Sequence, residues 1–340
     1  MSVANDPLSL LLAEKGVLLA DGATGTNLFA QGLQAGEAPE LWNENEPEKI
    51  VKLHQDFVDA GADIILTNSF GGTRHRLKLH HAQDRVFELN KKAAEIARSV
   101  ADKAPRKVIV AGSVGPTGEL LQPLGALSYE DAIAAFAEQM EGLKAGGVDV
   151  AWIETMSAPD EIRAAAEAAV KVGLPYTYTG SFDTAGKTMM GLEPKNIHGV
   201  AKNVGDGPLA VGANCGVGAS DILASLLDMT EADPSATVIV KGNCGIPEYR
   251  GAEIYYSGTP PLMAEYAKLA RDAGAKIIGG CCGTSCGHLA AMRQALDSYT
   301  PGPRPTIETI VDRIGPLRNK TASESDAAGA GRERRGRRRE

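Results

Sequence analysis

The stretch KAGGVDVAWIET, Lys144 to Thr155, holds the fold in miniature. Its first half ends a helical pattern: apolar residues recur at helical spacing from Tyr129 to Lys144, Ser128 stands where an N-cap belongs, and Gly146-Gly147 stop the repeat. Its second half, Val150 to Glu154, is an unbroken apolar run that closes on a carboxylate. A continuous run suits a strand buried on both faces, as in a parallel sheet. Seven further runs repeat the unit: Val17 to Ala20, Asp63 to Thr67, Val108 to Ala111, Tyr176 to Thr179, Leu209 to Ala213, Thr237 to Lys241 and Lys276 to Gly279. Amphipathic segments separate them, among them Glu48 to Asp59, Asp84 to Ala101, Pro159 to Val172, Asp221 to Leu227 (with Ser220 as its expected N-cap) and Pro260 to Asp272.

Strand and helix alternating eight times predict an α/β protein, a single-domain (β/α)8 TIM barrel over residues 1–300, with a doubly wound open sheet as the competing arrangement. Two smaller α/β domains fit less well, because no Pro/Ser-rich linker divides those residues. After Tyr299 the composition changes. Residues 301–318 form a C-terminal extension with room for one short helix, and 319–340, rich in Ala, Gly, Ser and Arg and without periodicity, are expected to be a disordered basic tail.

The 340 residues carry 35 basic and 43 acidic side chains, a net charge of −8, which argues against nucleic acid or an anionic membrane as the main partner. No segment approaches the roughly 18 apolar residues of a spanning helix, and the N-terminus has no basic leader. The expectation is a soluble cytoplasmic protein that handles a small molecule; an oligomer is compatible with the sequence. Five cysteines are an odd number in a chain too large to need disulfides, and four of them lie between Cys244 and Cys286, so metal or catalytic roles outrank bridges.

In a barrel the chemistry sits at strand C-termini and the loops after them. Cys215 ends the sixth run; Cys281 and Cys282 end the eighth, 66 residues later. Barrel closure brings these ends to one rim, and three soft thiolates there make a zinc site with a fourth position open. Cys244 and Cys286 read as ordinary thiols. Glu154 ends its strand where a carboxylate needs a cation, either a substrate ammonium or a neighbouring Lys or Arg. Asp21, in LADGATGT, has the same placement, followed by glycines such as Gly22 that let a backbone approach an anion. Asn243 is either a displaceable metal ligand or a loop cap, and Trp42 either a wall of the substrate site or a loop anchor. The six histidines show no ligand spacing and read as surface or satisfied residues. No P-loop and no GxGxxG opening a helix after the first strand is present.

Together DGATGTNL, TNSFGG, GSVGPTG, WIET, GANCG and GGCCGT resemble the homocysteine S-methyltransferase family from about Val17 to Leu296. The resemblance implies a zinc-dependent barrel of methionine biosynthesis, with Cys215, Cys281 and Cys282 on Zn2+. It implies Glu154 at the homocysteine ammonium, the Asp21 to Thr26 turn near the amino-acid end, and Asn243 as the displaceable fourth ligand. The chemistry is consistent with the residues. A thiol of pKa about 8.5 is mostly protonated at neutral pH, zinc deprotonates it, and three cysteinates keep the bound sulfur electron-rich enough to accept a methyl group. The donor is betaine, S-methylmethionine or a methyl-corrinoid carried by a partner protein. Gly71 and Thr155 stand where animal betaine-type enzymes have tyrosines and resemble the homocysteine module of cobalamin-dependent methionine synthases instead. On that second reading the chain is the homocysteine-activating component of a split synthase; a barrel acting on another thiol is the third reading.

Overall fold

A computed structural model of the chain describes residues 6–245, 247–250 and 253–319. Its strands are β1 (Leu18–Leu19), β2 (Ile64–Leu66), β3 (Ile109–Val114), β4 (Val150–Met156), β5 (Tyr176–Gly180), β6 (Ala210–Cys215), β7 (Val238–Gly242), β8 (Pro247–Arg250), β9 (Glu253–Tyr256) and β10 (Ile277–Gly280). All but β8 and β9 form one parallel sheet in the order β1-β10-β7-β6-β5-β4-β3-β2. A parallel bridge between Ala20 and Ile64, backed by Asp63 N–H to Leu19 C=O at 2.7 Å, brings the two edges together. The eight apolar runs are therefore the eight staves of a (β/α)8 barrel. The β8–β9 hairpin, which the sequence reading did not foresee, fills the loop after β7.

Side chains alternate across each stave. Leu18, Ala20, Ile64, Leu66, Ile109, Ala111, Val150, Trp152, Ala210, Ile239 and Ile277 pack into one apolar cluster inside the barrel, while Leu19, Ile65, Val110, Ala151, Val211, Val240 and Ile278 pack outward in the larger cluster with the surrounding helices. Leu8 and Leu11 of the Pro7–Lys15 helix join the inner cluster from the N-terminal side. That helix starts at Asp6, whose side chain accepts the Ser9 N–H, and stops at Gly16 with φ of +73°.

One expected cap is corrected. The helix after β6 runs Ala219–Ala232 from Gly218, so Ser220 lies inside it and donates its hydroxyl to Gly315 C=O at 2.7 Å. Ser128 does cap its helix, accepting the Asp131 N–H. The C-terminal extension carries one helix, Ile307–Ile314, with Ile310 and Ile314 buried. Beyond it, Asp221 accepts the N–H groups of Arg318 and Asn319. Residues 320–340, expected as a disordered tail, lie outside the described residues. Among the described residues no helix is long and apolar enough to cross a membrane.

Candidate active site

Continuing each stave's inward register past the apolar cluster, two residues at a time, gives the next layer: Asn68, Ser113, Glu154, Asn214, Lys241 and Cys281. This layer is polar and mostly buried, and all of it but Asn214 lines a cavity of about 440 Å3 on the C-terminal rim. The walls come from the Gly22–Thr26 turn, the β2 loop through Phe70 and Gly71, and Glu37, Glu40, Arg76 and His80.

The sulfurs of Cys215, Cys281 and Cys282 lie within 4.8 Å of one another. Cys281 is on the inward register, but at β6 that place belongs to Asn214, so Cys215 needs a backbone twist to reach the cluster. It has one: φ at Cys215 is +62°, strained for a residue with a Cβ. Burial and hydrogen bonding within the trio divide its protons unequally. Hydrogen bonds from Cys215 and Cys281, helped by the Tyr256 hydroxyl, hold Cys282 well below the ordinary thiol range, while the same bonds and burial raise Cys215. Gly283, with φ of +79°, leaves room for the Tyr256 ring, which a Cβ there would strike. Three sulfurs at this spacing suit a soft tetrahedral ion with metal–sulfur bonds of about 2.3 Å, and zinc meets both conditions. Cys244 is fully buried, and Cys286 is exposed at the start of the Cys286–Asp297 helix.

Glu154 is buried and, among the described residues, has no cationic partner within salt-bridge distance. Ser113 donates its hydroxyl to one carboxylate oxygen at 2.6 Å, and the Asn214 amide lies 3.4 Å from the other. Burial raises its pKa from 4.5 to about 7, against the opposing pull of Lys241. Asp21, by contrast, is paired: one oxygen meets Lys241 Nζ at 2.7 Å and the other accepts the Leu66 N–H at 2.7 Å. Asn214 joins these parts. Its Oδ1 accepts from Thr155 N–H and the Thr179 hydroxyl, and its Nδ2 reaches Glu154, Thr155 Oγ1 and, at 3.8 Å, the Cys281 sulfur. Thr155, like Cys215, is left-handed, with φ of +61°.

Gly22 and Thr26 line the cavity, and Thr26 Oγ1 accepts the Gly283 N–H. Asn243 uses its Oδ1 on the Cys282 N–H at 3.0 Å and turns its Nδ2 toward Cys215 and the Gly216 carbonyl, the geometry of a loop cap. Trp42 does not line the cavity. It packs in the outer core with Lys49 Nζ 4.3 Å above its ring, as a loop anchor does. Asn214 and Lys241 were not singled out from sequence, although counting in twos from Glu154 and its equivalents would have found both. Two histidines also depart from expectation: His80 lines the cavity, and His54 is buried with neither ring nitrogen bonded.

The sequence pattern of the homocysteine S-methyltransferase family matches residues 18–296. The chain belongs to that family. Methionine synthase of Mycobacterium tuberculosis is 30% identical over 299 residues, 82% of this chain and 24% of that protein. Methionine synthase of Mycobacterium leprae is 28% identical over 311 residues, 87% of this chain and 26% of that one. The chain thus spans about a quarter of the length of these relatives. The homocysteine methyltransferase MmuM from Escherichia coli, in its metallated form, superposes with a TM-score of 0.71 at 25% identity, covering 85% of this chain and 99% of that one. This member of the homocysteine S-methyltransferase family therefore has the family's barrel, with a trio of thiols on its rim.

Proposed function

We propose that this family member is a cytoplasmic, zinc-dependent homocysteine S-methyltransferase that converts homocysteine to methionine. The observation that carries the reading is the juxtaposition, in one cavity, of three clustered sulfurs with a buried carboxylate that forms no ion pair among the described residues. Cys215, Cys281 and Cys282 would hold the zinc, which when bound supplies the acidity to keep a substrate thiol deprotonated at neutral pH. Glu154 receives the homocysteine ammonium, held for it by Ser113 and Asn214. Lys241, seated on Asp21, and the Gly22–Thr26 turn face the cavity where the carboxylate belongs. The thiolate sulfur then attacks a methyl carbon in line with its leaving group, and the bond pair departs with the leaving group.

A second reading has its own support in the methionine synthase relatives: the chain as a homocysteine-activating component that takes its methyl group from a corrinoid partner protein. One experiment tests both. Zinc-loaded protein is incubated with homocysteine and, separately, betaine, S-methylmethionine or methylcobalamin, and methionine is measured. Methionine from a small donor supports the first reading; methionine from methylcobalamin alone supports the second. None from any donor, with no binding of homocysteine, overturns both.

A further inference from the structure

The cavity wall is lined by Glu37, Glu40, Arg76 and His80; Glu37 is exposed and accepts the Gln34 N–H at 2.9 Å, whereas Glu40 and Arg76 carry opposite charges that do not pair. Glu40, on the Pro39–Leu41 turn, is only 6% exposed. Its Oε1 accepts the Gly71 N–H at 2.6 Å, and it forms no ion pair among the described residues. The carboxylate sits where a side chain at position 71 would project: a Cβ on Gly71 would lie 2.9 Å from Oε1. Glycine at that position is what admits the charge. Arg76 lines the same cavity from the Arg74–Lys78 helix, its guanidinium reaching toward Gly118, and it too has no ion pair or side-chain hydrogen bond among the described residues. Phe70, partly exposed, lies in the same wall.

A buried carboxylate is costly unless something in its cavity balances it. Here Arg76 and His80 are both near enough to be felt, but among the described residues neither closes on it as an ion pair. A buried anion and a cation held apart on one wall complement a zwitterion, and the thiols on the floor fix what kind. We infer that Glu40 and Arg76 form the donor subsite, Glu40 facing the cationic centre of a methylated ammonium or sulfonium and Arg76 its carboxylate, with Phe70 against the methyl groups. The inference rests on the methyl-transfer reading and selects a small onium donor within it. In the reaction the thiolate sulfur forms the new S–C bond as the C–N or C–S bond of the onium breaks. The electron pair stays on that nitrogen or sulfur, and both charges vanish. Glu40 therefore favours the bound donor over the transition state, so its loss raises KM rather than lowering kcat.

The test compares glycine betaine with 3,3-dimethylbutyrate, which has the same shape and carboxylate but a neutral carbon in place of the nitrogen. Calorimetric titration of the zinc-loaded full chain should show wild type preferring betaine by about ten-fold or more, with Glu40→Gln losing that preference. Arg76→Met, a change at an exposed position that the fold tolerates, should weaken both carboxylates by about ten-fold and leave tetramethylammonium unaffected. Homocysteine affinity should stay at the wild-type value in both variants. An unchanged preference in Glu40→Gln, or unchanged carboxylate binding in Arg76→Met, overturns the subsite. So does wild type that binds no onium and makes methionine from methylcobalamin only. If donor binding follows Glu40 and Arg76 but wild type makes no methionine, the subsite stands and the proposed reaction falls.

Discussion

Cys215 is held in the left-handed region by an inward register that belongs to its neighbour, and that strain is tolerable only if the sulfur has work to do. Replacing Cys215, Cys281 or Cys282 with Ala should therefore reduce bound zinc from one per chain to none, as read by metal analysis of the purified protein. Cys286→Ala, exposed and away from the cluster, should keep the full complement. Glu154 gives a second measurement. Glu154→Gln removes a charge-assisted contact and should cost homocysteine binding about 2 to 4 kcal/mol, with zinc retained. Because the Glu154 carboxyl is raised to about 7, wild-type affinity should fall as pH drops through that value and the proton occupies the site meant for the ammonium. The thiol's own titration is shared by both proteins, so the extra acid limb should be present in wild type and absent in Glu154→Gln. Titrations that run parallel would remove Glu154 from the substrate site.

Among the elements, the Pro47–Asp59 helix buries His54 with both ring nitrogens unbonded. Burial lowers its pKa from 6.5 to about 4. The unfolded chain then binds more protons than the folded one between those values. Stability is full above about pH 6.5 and is lost as pH falls toward 4, by about 3 kcal/mol. His54→Leu, of similar bulk and without nitrogens to desolvate, should flatten that acid limb in urea titrations; an unchanged limb would place the loss elsewhere. The neighbouring turn makes a contrasting case. Trp42→Ala should destabilise the fold by about 3 to 5 kcal/mol and leave donor affinity alone, because the ring is in the core and Glu40, two residues earlier, faces the cavity. At this scale the sequence was legible where burial on both faces made the signal continuous: each apolar run became a stave. It was silent on the β8–β9 hairpin, whose short strands make no contribution to the barrel's core pattern. It misplaced Ser220 because a serine before an apolar run looks like a cap whether or not a distant carbonyl, here that of Gly315, claims its hydroxyl.

Across the whole molecule, the site was legible where a residue type announced its chemistry, as three cysteines do. It was hidden where only the pleat reveals a residue's direction, as with Asn214 and Lys241, or where a residue acts from a loop against a glycine, as Glu40 does. The extension after Thr300 is part of the packed body. The Ile307–Ile314 helix buries Ile310 and Ile314, and Asp221 binds the backbone of Arg318 and Asn319. Truncation after Thr300 should cost about 4 kcal/mol in denaturant titrations; a truncated chain as stable as the full one would make the extension an ornament. The seam where β1 meets β2 and β10 joins the first staves of the barrel to the last. Asp63, just before β2, accepts the Leu19 N–H and meets Lys15 from the first helix and Arg293 from the last barrel helix, so the ring is fastened by residues from both ends of the barrel sequence. On a ribosome, which delivers the chain from its N-terminus, Cys215 emerges well before the two thiols it lies beside, and of the staves flanking β1, β2 follows it directly while β10 comes last. A metal held by all three sulfurs must await the last stave, and until then Cys215 is a thiol without its two neighbours, open to any oxidant in its surroundings.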